Sequence, residues 1–471
     1  MKKGLTYNDV LLIPKRTSLK SRKESDIKTL FTKNIPLNIP LISSNMATVT
    51  EHEMAIAMAR AGGLGVIHQF STIQDQVEEI KKVKKSTSYI IEKPLTIQSY
   101  YSLKEAIEIM ERFGVTSLIV LQGEELGGIL TRRDYLFMDE NKKISEIMTP
   151  KEKLITAPKG ISLEEAKTIL QKNKIEKLPL TEDGKLAGLI TITDIEKLEH
   201  WPDANRDLKG SLRVGAAVGV KDTLERVSSL VQAGADVIIL DIAHCHSDLA
   251  IQRIREIKQS FSIDLMAGNI ATSEAALDLI QAGADGLKVG IGPSAVCTTR
   301  IISGSGIPQL TAIMDVVKVA KEHNIPVCAD GGAKYPGDLS KAIAAGASSV
   351  FSGSFFAGTK ETPGRIIMKN GKRFKRYMGS ASYDSNHERK EKLEKKTYKE
   401  NINVFVEGVA ILVDFKGPVE GVIGSLIKGL RSGISYCGGR NIKEMQENAE
   451  FIQITPSGWK ESQSRGEQLS E

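Results

Sequence analysis

From about Asp207 onward, short apolar runs alternate with segments of helical period. The runs "LRVGAAVGV", "ADVIILDIA", "IDLMAGNI", "ADGLKVGIG", "IPVCADGG" and "ASSVFSGS" are continuous, rich in β-branched residues and followed by Gly, Asp or Ser. Such runs read as strands buried on both faces, as in parallel sheets. Between them, "DTLERVSSLVQAG" and "SEAALDLIQAG" carry helical periodicity, and each stops at a glycine. Near the N-terminus "IPLISSNM" and "GGLGVIHQF" flank "EHEMAIAMARAG" in the same rhythm. Two strands before a break and six after it predict an α/β fold, a (β/α)8 TIM barrel.

The break, between about Lys85 and His200, contains a repeat. "LGGILTRRDY" and "LAGLITITDI" recur sixty residues apart, at Gly128 and Gly188. Each follows a helical segment and a strand, so two short βαββα units are expected to bury their apolar faces against each other. This predicts a barrel begun by residues 1–87, interrupted by repeats at 88–147 and 148–203, and resumed over 204–471. After Gly364, "IIMKNGKRFKRYMGS" reads as a hairpin around Asn370-Gly371. A long polar stretch follows, and the span 378–417 is expected to act as a flap.

Composition narrows the classes. Among 471 residues, 41% hydrophobic and 26% charged is ordinary for a soluble globular protein. The formal charge of +6 is spread among acidic residues, so nucleic-acid binding is not implied. The densest mixed-charge stretch, "NHERKEKLEKKTYKEN", is expected to be solvated and mobile. Four cysteines, at 245, 297, 328 and 437, form no C-x-x-C and no zinc spacing, which points to reduced thiols in an intracellular protein. No apolar run approaches the ~18 residues of a membrane span, and a cytoplasmic location is expected.

Active sites of such barrels lie at strand C-terminal ends, where Asp241, Asn269, Cys297, Asp330 and Gly353-Ser354 fall. "ADGG" and "SGS" end the last two strands, and their backbone amides can cradle an anion. The Asp330 carboxylate would repel phosphate and suits a ribose diol instead. Together these fit a nucleoside monophosphate. Cys297, in "GPSAVCTTR", has the glycine-bearing loop and nearby cation of a nucleophile. Arg300 either assists it or neutralises a carboxylate. Cys245, Cys328 and Cys437 are expected to be packing residues, and His244 and His246 hydrogen-bonding ones.

Taken together, "LTYNDVLLIP", "NMATVTEHEMAIAMARAGGLGVIH", "LDIAHCHS", "MAGNIAT", "KVGIGPSAVCTTR", "GIPQLTAI", "ADGGAKYPGD" and "LRSGISYCGG" resemble the IMP dehydrogenase and GMP reductase family over nearly the whole chain. The inserted repeats resemble a tandem CBS pair. The resemblance implies that Cys297 attacks C2 of a hypoxanthine ring, that hydride passes to NAD, and that water hydrolyses the thioimidate. It places Thr299 beside C2. Ser44, Met46, Asp330, Gly332, Gly353, Ser354, Tyr377, Met378, Gly379 and Glu407 fall at the nucleotide, Asp241, Asn269, Gly290 and Gly292 on the cofactor side. Carbonyls of Gly290, Gly292 and Cys297 match positions that help hold potassium. It further implies adenine or guanine nucleotides at the CBS repeats and a homotetramer.

Departures from the family pattern matter. The loop is "GPSAVC" where the family has G-P-G-S-[IV]-C, so Ser294 replaces a glycine expected at positive φ, and Ala295 a phosphate-binding serine. Ala47 replaces aspartate and Cys245 glycine. The Arg-Tyr pair by which dehydrogenase flaps activate water is missing; Arg389, followed by Lys390, is the first candidate to replace it and Tyr398 the second. The favoured reading is NAD-dependent oxidation of IMP to XMP in GMP biosynthesis. The alternatives are an NADPH-dependent GMP reductase and a nucleotide-sensing paralogue with weak turnover.

Overall fold

In the computed structural model all eight apolar runs pair into one closed parallel barrel. The structure describes residues 2–86, 90–91, 93–199, 201–394 and 406–464. The strands are β1 (Leu41–Ser43), β2 (Leu64–Ile67), β3 (Val214–Val218), β4 (Val237–Asp241), β5 (Asp264–Ile270), β6 (Gly286–Val289), β7 (Val327–Asp330) and β8 (Ser349–Ser352). Closure is made by β8 on β1, with Phe351 opposite Ile42. Across the interruption β2 pairs with β3, Gly65 opposite Gly215's neighbour Val214. The strands are continuous apolar runs because both faces are covered: Ile42, Val66, Ala217, Ile239, Met266 and Phe351 fill the interior, and helices pack outside. Phe31, Ile35 and Leu37, from the hairpin that precedes β1, join the same cluster.

The chain divides into two compact units. One comprises Met1–Ser86, Asp203–Asp207 and Leu212–Glu471, the other Thr87–Pro202 and Leu208–Ser211. In the first, Lys84 binds Asp207 and Asp236, each at 2.8 Å, and so ties together the points where the chain leaves and re-enters the barrel. The second unit shows the repeat directly. A strand (Thr96–Gln98), helix (Leu103–Phe113), two strands (Ser117–Gln122, Glu125–Thr131) and a helical turn (Arg132–Tyr135) are followed by Ala157–Pro158, Leu163–Asn173, Lys177–Glu182, Lys185–Thr191 and Ile192–Glu199 in the same order. Both long helices start with the same capping box, Ser102 with Glu105 and Ser162 with Glu165. Ile119, Leu126 and Ile129 of one repeat pack with Leu189 of the other.

After β8 a hairpin forms from β9 (Ile367–Lys369) and β10 (Lys372–Met378), joined by β11 (Ala410–Asp414) on the far edge of β10. Asn370 and Gly371 sit at φ 51° and 72°, the paired left-handed conformation of a tight hairpin turn. The described part of the mixed-charge stretch is helical. Tyr383–Glu394 is an α-helix, begun where the Ser382 hydroxyl accepts from the Ser385 amide. Arg376 of β10 reaches Asp384 and Glu388, one turn apart, and fastens the helix to the hairpin. Tyr398 lies outside the described residues.

Candidate active site

The strand ends enclose a cleft of about 940 Å³. Its walls include Ser44, Met46, Asp241, Asn269, Gly290, Gly292, Cys297, Thr299, Asp330, Gly379, Arg389 and Glu407. Gly332, Gly353, Ser354, Tyr377 and Met378 stand outside that lining. Gly353 adjoins it: a Cβ there would fall 2.6 Å from the Tyr377 hydroxyl, 2.8 Å from the Met46 sulfur and 2.9 Å from Ser44 Oγ. Only a glycine lets these three side chains meet the β8 end. Ser44 Oγ is buried and has no hydrogen-bond partner within the protein, so a ligand atom can satisfy it. Ser354 Oγ donates to the Ala333 carbonyl beside Gly332, and the Met378 amide donates to Thr48 Oγ1.

Cys297 follows β6 and points its sulfur at Thr299 Oγ1, 3.2 Å away. The Thr299 hydroxyl in turn donates to Glu407 Oε2 at 2.8 Å. Backbone bonds hold this line in place: the Thr298 amide donates to the Glu407 carbonyl and the Val409 amide to the Val296 carbonyl. The returning end of the flap is thus zipped to the thiol loop. The other thiols are buried. Burial pushes Cys245 and Cys328 up to about 12 and raises Cys437, so they stay protonated.

Sequence reasoning missed the charge at the centre of the site. Lys288 of β6 is 1% exposed. Its ammonium lies 2.8 Å from both Asp241 and Asp330 and also donates to Asn269 Oδ1. Asn269 passes its own amide to Asp330 at 2.9 Å, and Asn45 donates to Asp241 at 2.7 Å. Burial works against the ammonium, but the two carboxylates together overcome it and hold its pKa above the ordinary lysine range. The signal was present: a lysine inside the otherwise apolar "GLKVG" must find carboxylates where it is buried. Lys416 was also missed; it donates to the Ser354 and Phe355 carbonyls at 2.9 Å each, just past the end of β8.

Arg389 places its guanidinium 5.5 Å over the Phe70 ring at the cleft wall, and burial lowers its pKa. His246 bonds Asp278 at 2.9 Å, in keeping with a hydrogen-bonding role, and no cluster of metal-ligating side chains occurs among the described residues. The Gly290 carbonyl accepts from Asn269 Nδ2 at 2.6 Å, a bond that occupies one of its two lone pairs.

The profile of the IMP dehydrogenase / GMP reductase domain matches residues 4–465. The chain belongs to that family. Within it, the chain is 50% identical to inosine-5'-monophosphate dehydrogenase of Nitrosopumilus maritimus over 98% of both chains. It is 48% identical to the enzyme of that name from Aquifex aeolicus, over 100% of this chain and 97% of the other. Among solved structures, a Cys-to-Ala variant of GMP reductase from Trypanosoma brucei in complex with guanosine 5'-monophosphate superposes with a TM-score of 0.88, at 41% identity and 99% coverage of both chains. GMP reductase of the same organism in complex with guanosine 5'-triphosphate gives 0.76 at 39%, covering 97% of this chain and 98% of that one.

Against the family loop pattern, the expected strain at Ser294 is absent. Ser294 is not among the residues at positive φ, so no left-handed penalty arises. The Tyr377 hydroxyl lies near Ser294, and burial pushes the pKa of that hydroxyl up to about 12. Ala295 is exposed and supplies no hydroxyl.

Proposed function

We propose that this protein is an NAD-dependent IMP dehydrogenase that oxidises IMP to XMP for GMP biosynthesis. The observation that carries the reading is the line Cys297–Thr299–Glu407 on the wall of the cleft, in a chain half identical along its length to an enzyme of that name. Asp330 receives the ribose diol, Ser44 and Met46 line the nucleotide site, Gly332, Gly353 and Ser354 serve the phosphate, and Tyr377, Met378 and Gly379 complete the substrate site from behind or beside the cleft wall. The Cys297 sulfur adds to C2 of the purine as the thiol proton passes to N3, opening the C2=N3 double bond. Asp241 and Asn269 would hold NAD, which would supply the acceptor for the hydride released from C2. Water then bonds to C2, the C–S bond breaks, and the thiol regains its proton. Glu407, through Thr299, and Arg389 on the flap are the groups placed to take the proton from that water.

The finer parts of the reading follow. Residues 88–147 and 148–203 are the two CBS repeats. A cleft of about 500 Å³ in that unit, with Thr131, Arg132, Arg133, Asp134 and Lys177 on its wall, suits an adenine or guanine nucleotide. A potassium ion would be held by the Gly290, Gly292 and Cys297 carbonyls. No helix among the described residues is long and apolar enough to cross a membrane. A cytoplasmic homotetramer without nucleic-acid partners completes the proposal.

A second reading, GMP reductase, draws on the Thr299–Glu407 bond and on the fold shared with the Trypanosoma brucei enzyme. Absorbance of reduced nicotinamide separates the two. IMP plus NAD should raise it; a signal only as a fall with GMP plus NADPH would replace dehydrogenase by reductase. Incubation with 6-chloropurine ribotide should add one adduct by intact mass, absent in Cys297→Ala. Equal labelling of the variant would remove Cys297 from the mechanism.

A further inference from the structure

The segment from Gly290 to Ile307 that carries Cys297 contains no strand and only one short helix, Thr299–Ile302. A loop of that length does not hold a nucleophile to a fraction of an ångström without a tie. Arg300 provides one. Its Nε donates to the Ile291 carbonyl at 3.0 Å and its Nη2 to the Ile307 carbonyl at 2.5 Å, so one guanidinium joins the first turn of the loop to its last residue. Two glycines clear its path. A Cβ at Gly292 would fall 2.5 Å from Arg300 Cγ, and one at Gly306 would fall 2.7 Å from Cγ and 2.8 Å from Nε. Both sit at positive φ, 76° and 149°. The side chain is therefore threaded between the two arms of the loop, with Cys297 on the part it encloses.

The two roles open from the sequence were help to the thiol and neutralisation of a carboxylate. Among the described residues Arg300 makes no ion pair with a carboxylate, and its hydrogen bonds go to main-chain oxygens. Nor does it line the cleft, although Gly292, Cys297 and Thr299 do. It acts from behind the wall.

We propose that Arg300 is a positioning residue that fixes the thiol loop by bridging its two ends, and that it sets the rate at which Cys297 attacks rather than the affinity for nucleotide. This rests on the reading of Cys297 as the nucleophile. A planar guanidinium suits the task because its donors diverge in a fixed fork, whereas an ammonium is a point donor on a flexible stem.

The test follows the rate of Cys297 adduct formation with 6-chloropurine ribotide, alongside IMP affinity by calorimetry, in the full-length protein. Arg300→Ala should slow the adduct by on the order of 100-fold, the scale of a displaced reacting group, while IMP affinity stays within about twofold, a difference small against one tenfold step of 1.4 kcal/mol. Millimolar guanidinium should restore part of the rate in Arg300→Ala and change nothing in the parent. Arg300→Lys, which keeps the charge and loses the fork, should also be slowed, and it carries the test alone if the alanine variant is insoluble. A parent-like adduct rate in either soluble variant overturns the proposal. So does a loss shared equally by IMP affinity and unrelieved by guanidinium. If the parent itself forms no adduct at Cys297, the functional reading fails first, and the two failures are told apart.

Discussion

At the residue scale, Lys288 is the side chain on which most of the site depends. It stands between Asp241 and Asp330, with its ammonium shut away from water. Removing one member of a buried ion network leaves the others uncompensated, at a cost of about 3–5 kcal/mol. Lys288→Met is therefore expected to lower stability by that order in urea titrations and to raise KM for both IMP and NAD, since each carboxylate loses its partner. Arg389 makes a different prediction. A group that accepts a proton from water must first be deprotonated, so a base of high pKa makes hydrolysis climb as pH rises; burial, by lowering the Arg389 pKa, brings that climb to lower pH. Arg389→Ala should keep the first-turnover burst of NADH in stopped flow, slow the steady state, and flatten its rise above neutral pH. Asp241, Asn269 and Asp330 were legible in the sequence because each ends an apolar run, and Cys297 because it lies in a loop of glycine and small hydroxylated residues. Lys288 was not, because its meaning depends on two carboxylates that arrive from other strands.

At the scale of elements, the barrel strands were legible for a plain reason. Each is a short, mainly apolar run such as "VIIL" or "SVF", because both of its faces are covered, and no amphipathic alternation obscures it. The helix Tyr383–Glu394 was hidden for the opposite reason. It has no apolar stripe to detect, and it is held by the pairing of Arg376 with Asp384 and Glu388, a contact made in the tertiary fold. The inserted repeats have their own cores, Leu103, Leu118 and Leu130 in one and Leu170, Leu178 and Ile190 in the other. Lys84 meanwhile secures both cut ends of the barrel to Asp207 and Asp236. A chain in which a short linker replaces residues 88–202 is thus expected to stay folded and to turn over IMP, losing only control by nucleotides. Insolubility across several linker lengths would show that the repeats support the barrel. Lys84→Met in the intact chain should destabilise by about 3–5 kcal/mol, the cost of stranding a buried carboxylate, seen as a lower urea midpoint.

At the scale of the whole molecule, binding and stability are linked. A ligand that binds only the folded barrel stabilises it by about 2.7 kcal/mol at a hundred times its Kd. IMP at that excess should raise the melting temperature of the parent by several degrees and do the same in Cys297→Ala, since recognition lies in the ribose and phosphate contacts. A nucleotide that acts on the repeats should shift a separate transition, visible by calorimetry. Of the remaining thiols Cys328 is sealed among the side chains of the barrel core, and Cys245 and Cys437 are buried elsewhere. The protein consequently offers solvent a single sulfhydryl. A chromogenic disulfide reagent should release one equivalent per chain in a fast phase, lose that phase when IMP is present, and release three more only after denaturation. The amplitude of the fast phase would then count competent active sites in any preparation, before turnover is measured at all.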